Sequence, residues 1–186
     1  RMLADIDPGE RDDILASVGR LLAMFEAAGW QPVTVKYGPR LRELFERDGG
    51  GDLQRRIDEM PNEEYQRLLR SDAGELRERL PGSGPGRRAI ARLVSELGDS
   101  EVRAAIRDLG GHDLGSVLAG LAECDAVADR PSVLFAYTIK GWRLPIEGHP
   151  ANHSALLNAD QLTALAAELG VASGDRWGRF DGGSAE

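Results

Sequence analysis

One uninterrupted apolar run constrains this chain more than any other feature. Ser132-Val-Leu-Phe-Ala-Tyr-Thr-Ile139 has the length and the β-branched and aromatic content of a buried strand. It stops on a cation, Lys140, followed at once by Gly141. Beyond that lies Trp142-Arg-Leu-Pro-Ile-Glu-Gly-His-Pro-Ala-Asn-His153, with two prolines and two histidines and no helical period. A buried strand that ends on a charge and opens into a histidine-bearing loop is how open α/β folds present a site at the carboxyl ends of their strands.

An earlier segment repeats the helix-then-strand step. Ile14, Leu15, Val18, Leu21, Leu22 and Phe25 form one amphipathic stripe, and Gly29 is placed to cap its end. Trp30 to Tyr37 follows as a short strand with Val33, Val35 and Tyr37 on one face.

From Gly38 to Leu109 the pattern is helical and heavily charged. Leu41, Leu44 and Phe45 mark a short helix that Gly49-Gly-Gly51 breaks, and Leu53 to Met60 forms the next. Pro61-Asn62 opens a third through Leu69, and Asp72 caps a fourth that ends at Leu80. Pro81-Gly-Ser-Gly-Pro-Gly86 is the least ordered segment on composition. Ile90, Leu93, Val94 and Leu97 recur at helical spacing, and Ser100 is the favoured cap of a helix that runs to Leu109.

Gly110-Gly-His-Asp113 interrupts the helices before an amphipathic stretch, Leu114 to Val127, that feeds the apolar strand. A last helix starts at Asn158 and carries Leu162, Leu165 and Leu169, and the tail from Gly174 is expected to fray. Two strands are too few for a sheet that stands alone, so others are expected on another segment or chain.

The 186 residues suffice for one core. A formal net charge of −8 argues against nucleic acid as a partner, because no excess of cations is available to displace phosphate counterions. The single cysteine, Cys124, allows no intramolecular disulfide and no cysteine metal cluster, and is expected on a buried helix face in a reducing, cytoplasmic compartment. No apolar run reaches the roughly 18 residues that a membrane span needs. Arg1-Met-Leu-Ala-Asp lacks the apolar core of a signal peptide, and the absence of methionine at position 1 suggests a portion of a longer polypeptide.

Six short motifs then point to a family. Phe25-Glu-Ala-Ala-Gly-Trp-Gln-Pro-Val-Thr-Val-Lys36, Glu63-Glu-Tyr-Gln66, Asp72-Ala-Gly-Glu-Leu-Arg-Glu78, Gly110-Gly-His-Asp113, Thr138-Ile-Lys-Gly141 and Glu147-Gly-His-Pro-Ala-Asn-His153 stand in that order. In order, over residues 14–170, they resemble the homodimeric thiamine-diphosphate-dependent decarboxylase component of bacterial pyruvate dehydrogenase complexes. Transketolase and its relatives share the architecture.

The resemblance implies a helix-rich α/β chain with few parallel strands, a partial transketolase-like fold that other segments or chains complete. Residues 1–173 would be the C-terminal portion of the cofactor-binding domain and 174–186 a flexible tail. The cofactors would be thiamine diphosphate and Mg²⁺. The Gly-Asp-Gly…Asn stretch that holds the metal, and the domain whose glutamate activates the cofactor, would lie outside these residues, so no metal ligand is assigned here. The partners would be a 2-oxo acid substrate, subunits that carry the rest of the site and a lipoyl carrier domain. A carboligase that hands its unit to an aldehyde or acyl acceptor is the alternative enzyme, and a non-catalytic assembly module the alternative without chemistry.

Residue by residue, the resemblance places Lys140 at the end of the strand, near cofactor and substrate. A fixed cation there would stabilise a carboxylate or a phosphate oxygen, whereas a lysine that merely leaves the sheet edge would face water. His153 matches the histidine of the family's mobile loop, where an imidazole would protonate the leaving sulfur of the lipoyl acceptor. His112 matches a motif that precedes a helix, and serves either the cofactor or the backbone of a tight turn. His149 matches no required histidine, and Glu147 is placed to order the loop. Two departures bear on the acceptor step: the loop is short, with Trp142-Arg-Leu-Pro145 where the family has glycines, and Arg79 stands where relatives carry histidine. Less glycine and an added proline restrict how such a loop moves.

Overall fold

A computed structural model describes residues 2–6, 14–152, 154–171, 178–179 and 183, with residues 2–6 and 14–17 described by their backbone alone. His153 and most of the tail from Gly174 lie outside the described residues.

The apolar run forms strand β3 (Ser132–Tyr137), and every residue of it is buried. It is the centre of a three-stranded parallel sheet in the order β1-β3-β2, with β1 at Met2–Ile6 and β2 at Gln31–Val35. Ala4 stands opposite Phe135, and Val35 opposite Ala136. β1 is a third strand that the hydrophobic pattern did not announce.

Helix α1 (Ile14–Ala27) joins β1 to β2. Gly29 ends it with φ +80°, and the Trp30 N–H donates to the Phe25 carbonyl at 2.9 Å, the closing bond of a Schellman turn. The Phe25 ring meets Trp30 and Phe135 edge-on at 5.4 and 5.7 Å, which seats α1 against β3.

Six helices then separate β2 from the next turn of the fold: α2 (Pro39–Phe45), α3 (Gly50–Glu59), α4 (Asn62–Arg70), α5 (Ala73–Arg79), α6 (Arg87–Ser95) and α7 (Asp99–Ile106). Their apolar stripes converge on the larger core, where Leu41, Leu53, Leu68, Leu69, Leu76 and Ile106 are each no more than 1% exposed. Tyr137 and Ile139, from the end of β3, belong to the same cluster and tie the helical body to the sheet. A smaller core of Val33, Val35, Leu134 and Cys124 lies between the sheet and α8 (Leu114–Ala126). Helix α9 (Ala159–Glu168) follows the loop after β3, with Asn158 and Gln161 capping each other's backbone N–H groups at 2.9 and 3.0 Å.

Several local expectations shift. Gly49, at φ +83°, is the residue before α3, and Gly50 and Gly51 lie inside its first turn rather than outside it. Only glycine fits at position 50, because an added Cβ would stand 2.3 Å from the carbonyl oxygens of Leu44 and Phe45. Helix α7 is preceded by Gly98, not capped by Ser100; the Glu101 carboxylate accepts the Gly98 N–H at 2.7 Å and takes over the capping role. The Pro81–Gly86 segment has a set path: Gly82, at φ +61°, lies against the Arg56 side chain and Gly86 against Asp52, with Pro81 buried.

Among the described residues, no helix is long and apolar enough to cross a membrane.

Candidate functional site

The carboxyl ends of β2 and β3 lie side by side, and Gly110-Gly-His112 forms a 3₁₀ turn across both. An added Cβ at Gly110 would meet Val35 Cγ1 at 2.7 Å, and one at Gly111 would meet the Tyr137 carbonyl oxygen at 2.5 Å. The two glycines therefore let backbone lie directly on the strand ends. The Gly110 N–H donates to the Lys36 carbonyl at 2.9 Å, and this seats the turn on β2. Asp113 closes it by accepting from the Ser116 N–H and hydroxyl, both at 2.7 Å, and these bonds hold its carboxyl below the usual range.

His112 is carried to the exit of β3 by this turn. Its Nε2 accepts the Ile139 N–H at 2.6 Å, so the ring is the tautomer protonated at Nδ1. The imidazole stacks on the Trp142 indole at 4.3 Å between centroids and 6° between planes. Between those two contacts sits Lys140. The Trp142 N–H donates to the Ile139 carbonyl at 3.1 Å and closes a β-turn with Lys140 and Gly141 at its centre; Gly141 has φ +67°, as a type II turn demands at that position. The Lys140 carbonyl accepts from Asn152 Nδ2 at 3.1 Å.

The loop beyond is a succession of turns with backbone hydrogen bonds of 2.8–3.1 Å from Leu144 to Ala155. Glu147 anchors it. Its side chain is 10% exposed, accepts from Arg107 Nε at 2.7 Å and accepts the Arg143 N–H at 2.6 Å. Arg107 in turn donates to the Leu69 and Arg103 carbonyls, so the loop is fixed to α4 and α7 through one guanidinium. Gly148, at φ +71°, packs on the Gln66 carbonyl and Leu69. Arg143 has φ 60° and places its guanidinium 5.5 Å from the centre of the Trp142 ring. His149 Nδ1 accepts the Ala151 N–H at 3.0 Å, a contact within the loop itself.

Beside this lies a second polar cluster, at the end of β2. Lys36, the residue after β2, pairs with Asp58 of α3, and the Tyr37 hydroxyl donates to the same carboxylate oxygen. The Lys36 ammonium stands 5.1 and 5.3 Å from the ring centres of Tyr37 and Tyr137. Burial, and then the hydrogen bond and charge of Asp58, push the Tyr37 phenol up; burial and Asp58 do the same to Tyr137. One signal was available in the sequence. Lys36 and Lys140 are the only lysines among 23 basic residues, Lys36 next to the last residue of one strand pattern and Lys140 directly after the other.

Of the expected site residues, His112 contacts Ile139 and Trp142 on either side of Lys140, and His153 lies outside the described residues. Among the described residues, no three His, Cys, Asp or Glu side chains gather as a metal site.

These features define a class: a helix-rich parallel α/β segment whose polar residues converge where its strands end. No family model matches the chain. Individual proteins do, and they agree. It is 32% identical over 157 residues to the pyruvate dehydrogenase E1 component of Corynebacterium glutamicum, a match that covers 83% of this chain and 16% of that protein. The E1 components of Escherichia coli K12 and Pseudomonas aeruginosa are 31% and 33% identical over 125 residues, 67% of this chain and 14% of each. The chain is homologous to a segment of bacterial pyruvate dehydrogenase E1 components, as the six motifs implied. It spans about one sixth of the length of the curated relatives it matches.

Proposed function

We propose that this chain is a part or subunit of a thiamine-diphosphate-dependent 2-oxo acid decarboxylase of the pyruvate dehydrogenase type, which passes its acyl group to a lipoyl acceptor. One observation carries the reading: Lys140 occupies a fixed turn at the carboxyl end of the central parallel strand, in a chain homologous to the E1 component over most of its length.

The described residues suit one wall of such a site. A lysine fixed at a strand end suits a carboxylate or a diphosphate oxygen, and Mg²⁺ ligands would come from other residues. Thiamine diphosphate, when bound, supplies the electron sink for decarboxylation. This chain's own residues do the positioning. Lys140 offsets negative charge at the rim. His112 holds the peptide ahead of it. Glu147 and Arg107 keep the loop folded over the helical body. His153 would deliver the proton to the departing sulfur of the acceptor.

Calorimetric titration with thiamine diphosphate and Mg²⁺ tests the reading, using the chain with the remaining segments of an E1 component supplied. Saturable binding is expected, with a roughly tenfold or greater loss of affinity in K140A on removal of a charge-assisted contact. No binding in any combination would refute it in favour of a non-catalytic assembly module.

A further inference from the structure

A lysine at a strand end is useful only if its ammonium is delivered to one place. A lysine side chain has many rotamers and a compact, strongly hydrated charge. The backbone from which it springs sets where that freedom begins. At Lys140 that backbone is held on both sides by side chains far apart in sequence. His112 Nε2 accepts the N–H of Ile139 at 2.6 Å, and Asn152 Nδ2 donates to the carbonyl of Lys140 at 3.1 Å. The Trp142 N–H closes the turn at 3.1 Å, and the Trp142 ring lies flat on the same imidazole that grips Ile139. Helix-preceding turn, strand end and loop are thus knotted at one residue.

From this arrangement we infer that His112 and Asn152 are positioning residues for Lys140. Together they fix the turn from which its ammonium meets an anion. The inference rests on the assignment of Lys140 above and extends it to two residues that need not touch the anion. The Trp142 stack supports His112 by holding the ring in the plane that its hydrogen bond requires. The division of labour is specific. The stack needs a flat ring, the Ile139 contact needs an acceptor, and the Lys140 carbonyl needs a donor.

Chance composition makes the test sharp, because the chain has two lysines only, and both lie at the rim. Reductive ¹³C-methylation keeps their charge and yields two dimethyl-lysine signals, which K36R and K140R assign. Inorganic pyrophosphate serves as the anion. In H112F, which keeps the flat ring but not the acceptor, and in N152A, the Lys140 signal should move toward that of free lysine. Its pyrophosphate response should weaken roughly three- to tenfold, the loss expected for one hydrogen bond. The Lys36 signal should stay in place. H112Q, whose amide oxygen can accept the Ile139 N–H, should restore the Lys140 signal.

An unchanged Lys140 signal and response in both H112F and N152A would overturn the inference. So would parallel movement of the Lys36 signal, which would mark a general structural role. If the variants displace the Lys140 signal selectively while even the unsubstituted chain, with the remaining segments of an E1 component supplied unlabelled, ignores pyrophosphate, the positioning stands and the functional assignment of Lys140 falls.

Discussion

Alkali should unfold this protein in a single step that ionises all of its tyrosines together. The chain has three, Tyr37, Tyr65 and Tyr137, and in each the phenol is pushed up, first by burial. For Tyr65 the Glu147 and Asp108 charges add to the effect and Arg107 opposes it; its hydroxyl donates to the Ile106 carbonyl at 2.7 Å. The sign follows from proton counting. Below about pH 10, the ordinary value, tyrosine is neutral in both states and its native contacts are intact. Above it the unfolded chain loses protons that the folded chain keeps, so stability falls as pH rises toward the folded-state values.

Each tyrosine held neutral costs at most about 1.4 kcal/mol per pH unit, and screening by solvent reduces the share of Tyr37 and Tyr137, so the three together cost roughly 2–4. Against the 5–15 kcal/mol typical of a domain, unfolding is expected above about pH 11. Arginine stays charged there and only two lysines titrate alongside, so the tyrosines dominate. Absorbance at 295 nm, followed with far-ultraviolet circular dichroism, checks this. The two curves should coincide. Tyrosinate absorbance that climbs near pH 10 while the helical signal holds would refute the reasoning.

Two further expectations follow from the contacts around the rim. Urea unfolding of E147A, R107A and the double variant should give a coupling energy of roughly 1.5–3 kcal/mol, because the Glu147 side chain is only 10% exposed and takes two charge-assisted hydrogen bonds; a coupling near zero would show that the loop is held by its turns alone. Gly111→Ala should lower stability by about 1–3 kcal/mol through overpacking, since the new Cβ would stand 2.5 Å from the Tyr137 carbonyl oxygen and 2.6 Å from Thr138 Cγ2, whereas Gly51→Ala, with nothing within 4 Å, should be neutral or better in the same assay.

Where local chemistry decides structure, the sequence was legible. Asp72 caps the helix it was expected to cap, accepting the Glu75 N–H at 2.8 Å, and Asn158 caps the helix it was expected to begin. The run from Ser132 became the buried central strand. β1 was not legible, because Met2–Ile6 contains Ala4 and Asp5, poor strand formers, and among the described residues it pairs with β3, some 130 residues away along the chain. Ser100 misled because a serine is a good cap in isolation, yet the carboxylate of Glu101 reaches back to Gly98 and makes the cap unnecessary.

The site was legible in the same uneven way, and the reason is physical. The place of Lys140 at the strand's end could be read because a charge that terminates an apolar run is a local signal. Its supports could not, since each acts through a contact that only the fold creates: Asn152 reaches back 12 residues to its carbonyl, and His112 reaches 27 forward to Ile139. Gly110-Gly-His112 shows how the two levels connect. The glycines carry no chemistry, but without them the turn could not lie on the ends of β2 and β3, and the imidazole would not reach Ile139. A motif that reads in sequence as a loop signature is in the fold the device that sets where the lysine begins. For that reason a substitution at Gly111 and one at His112 should disturb the same lysine through different physics, the first by steric displacement of the strand end, the second by loss of an acceptor.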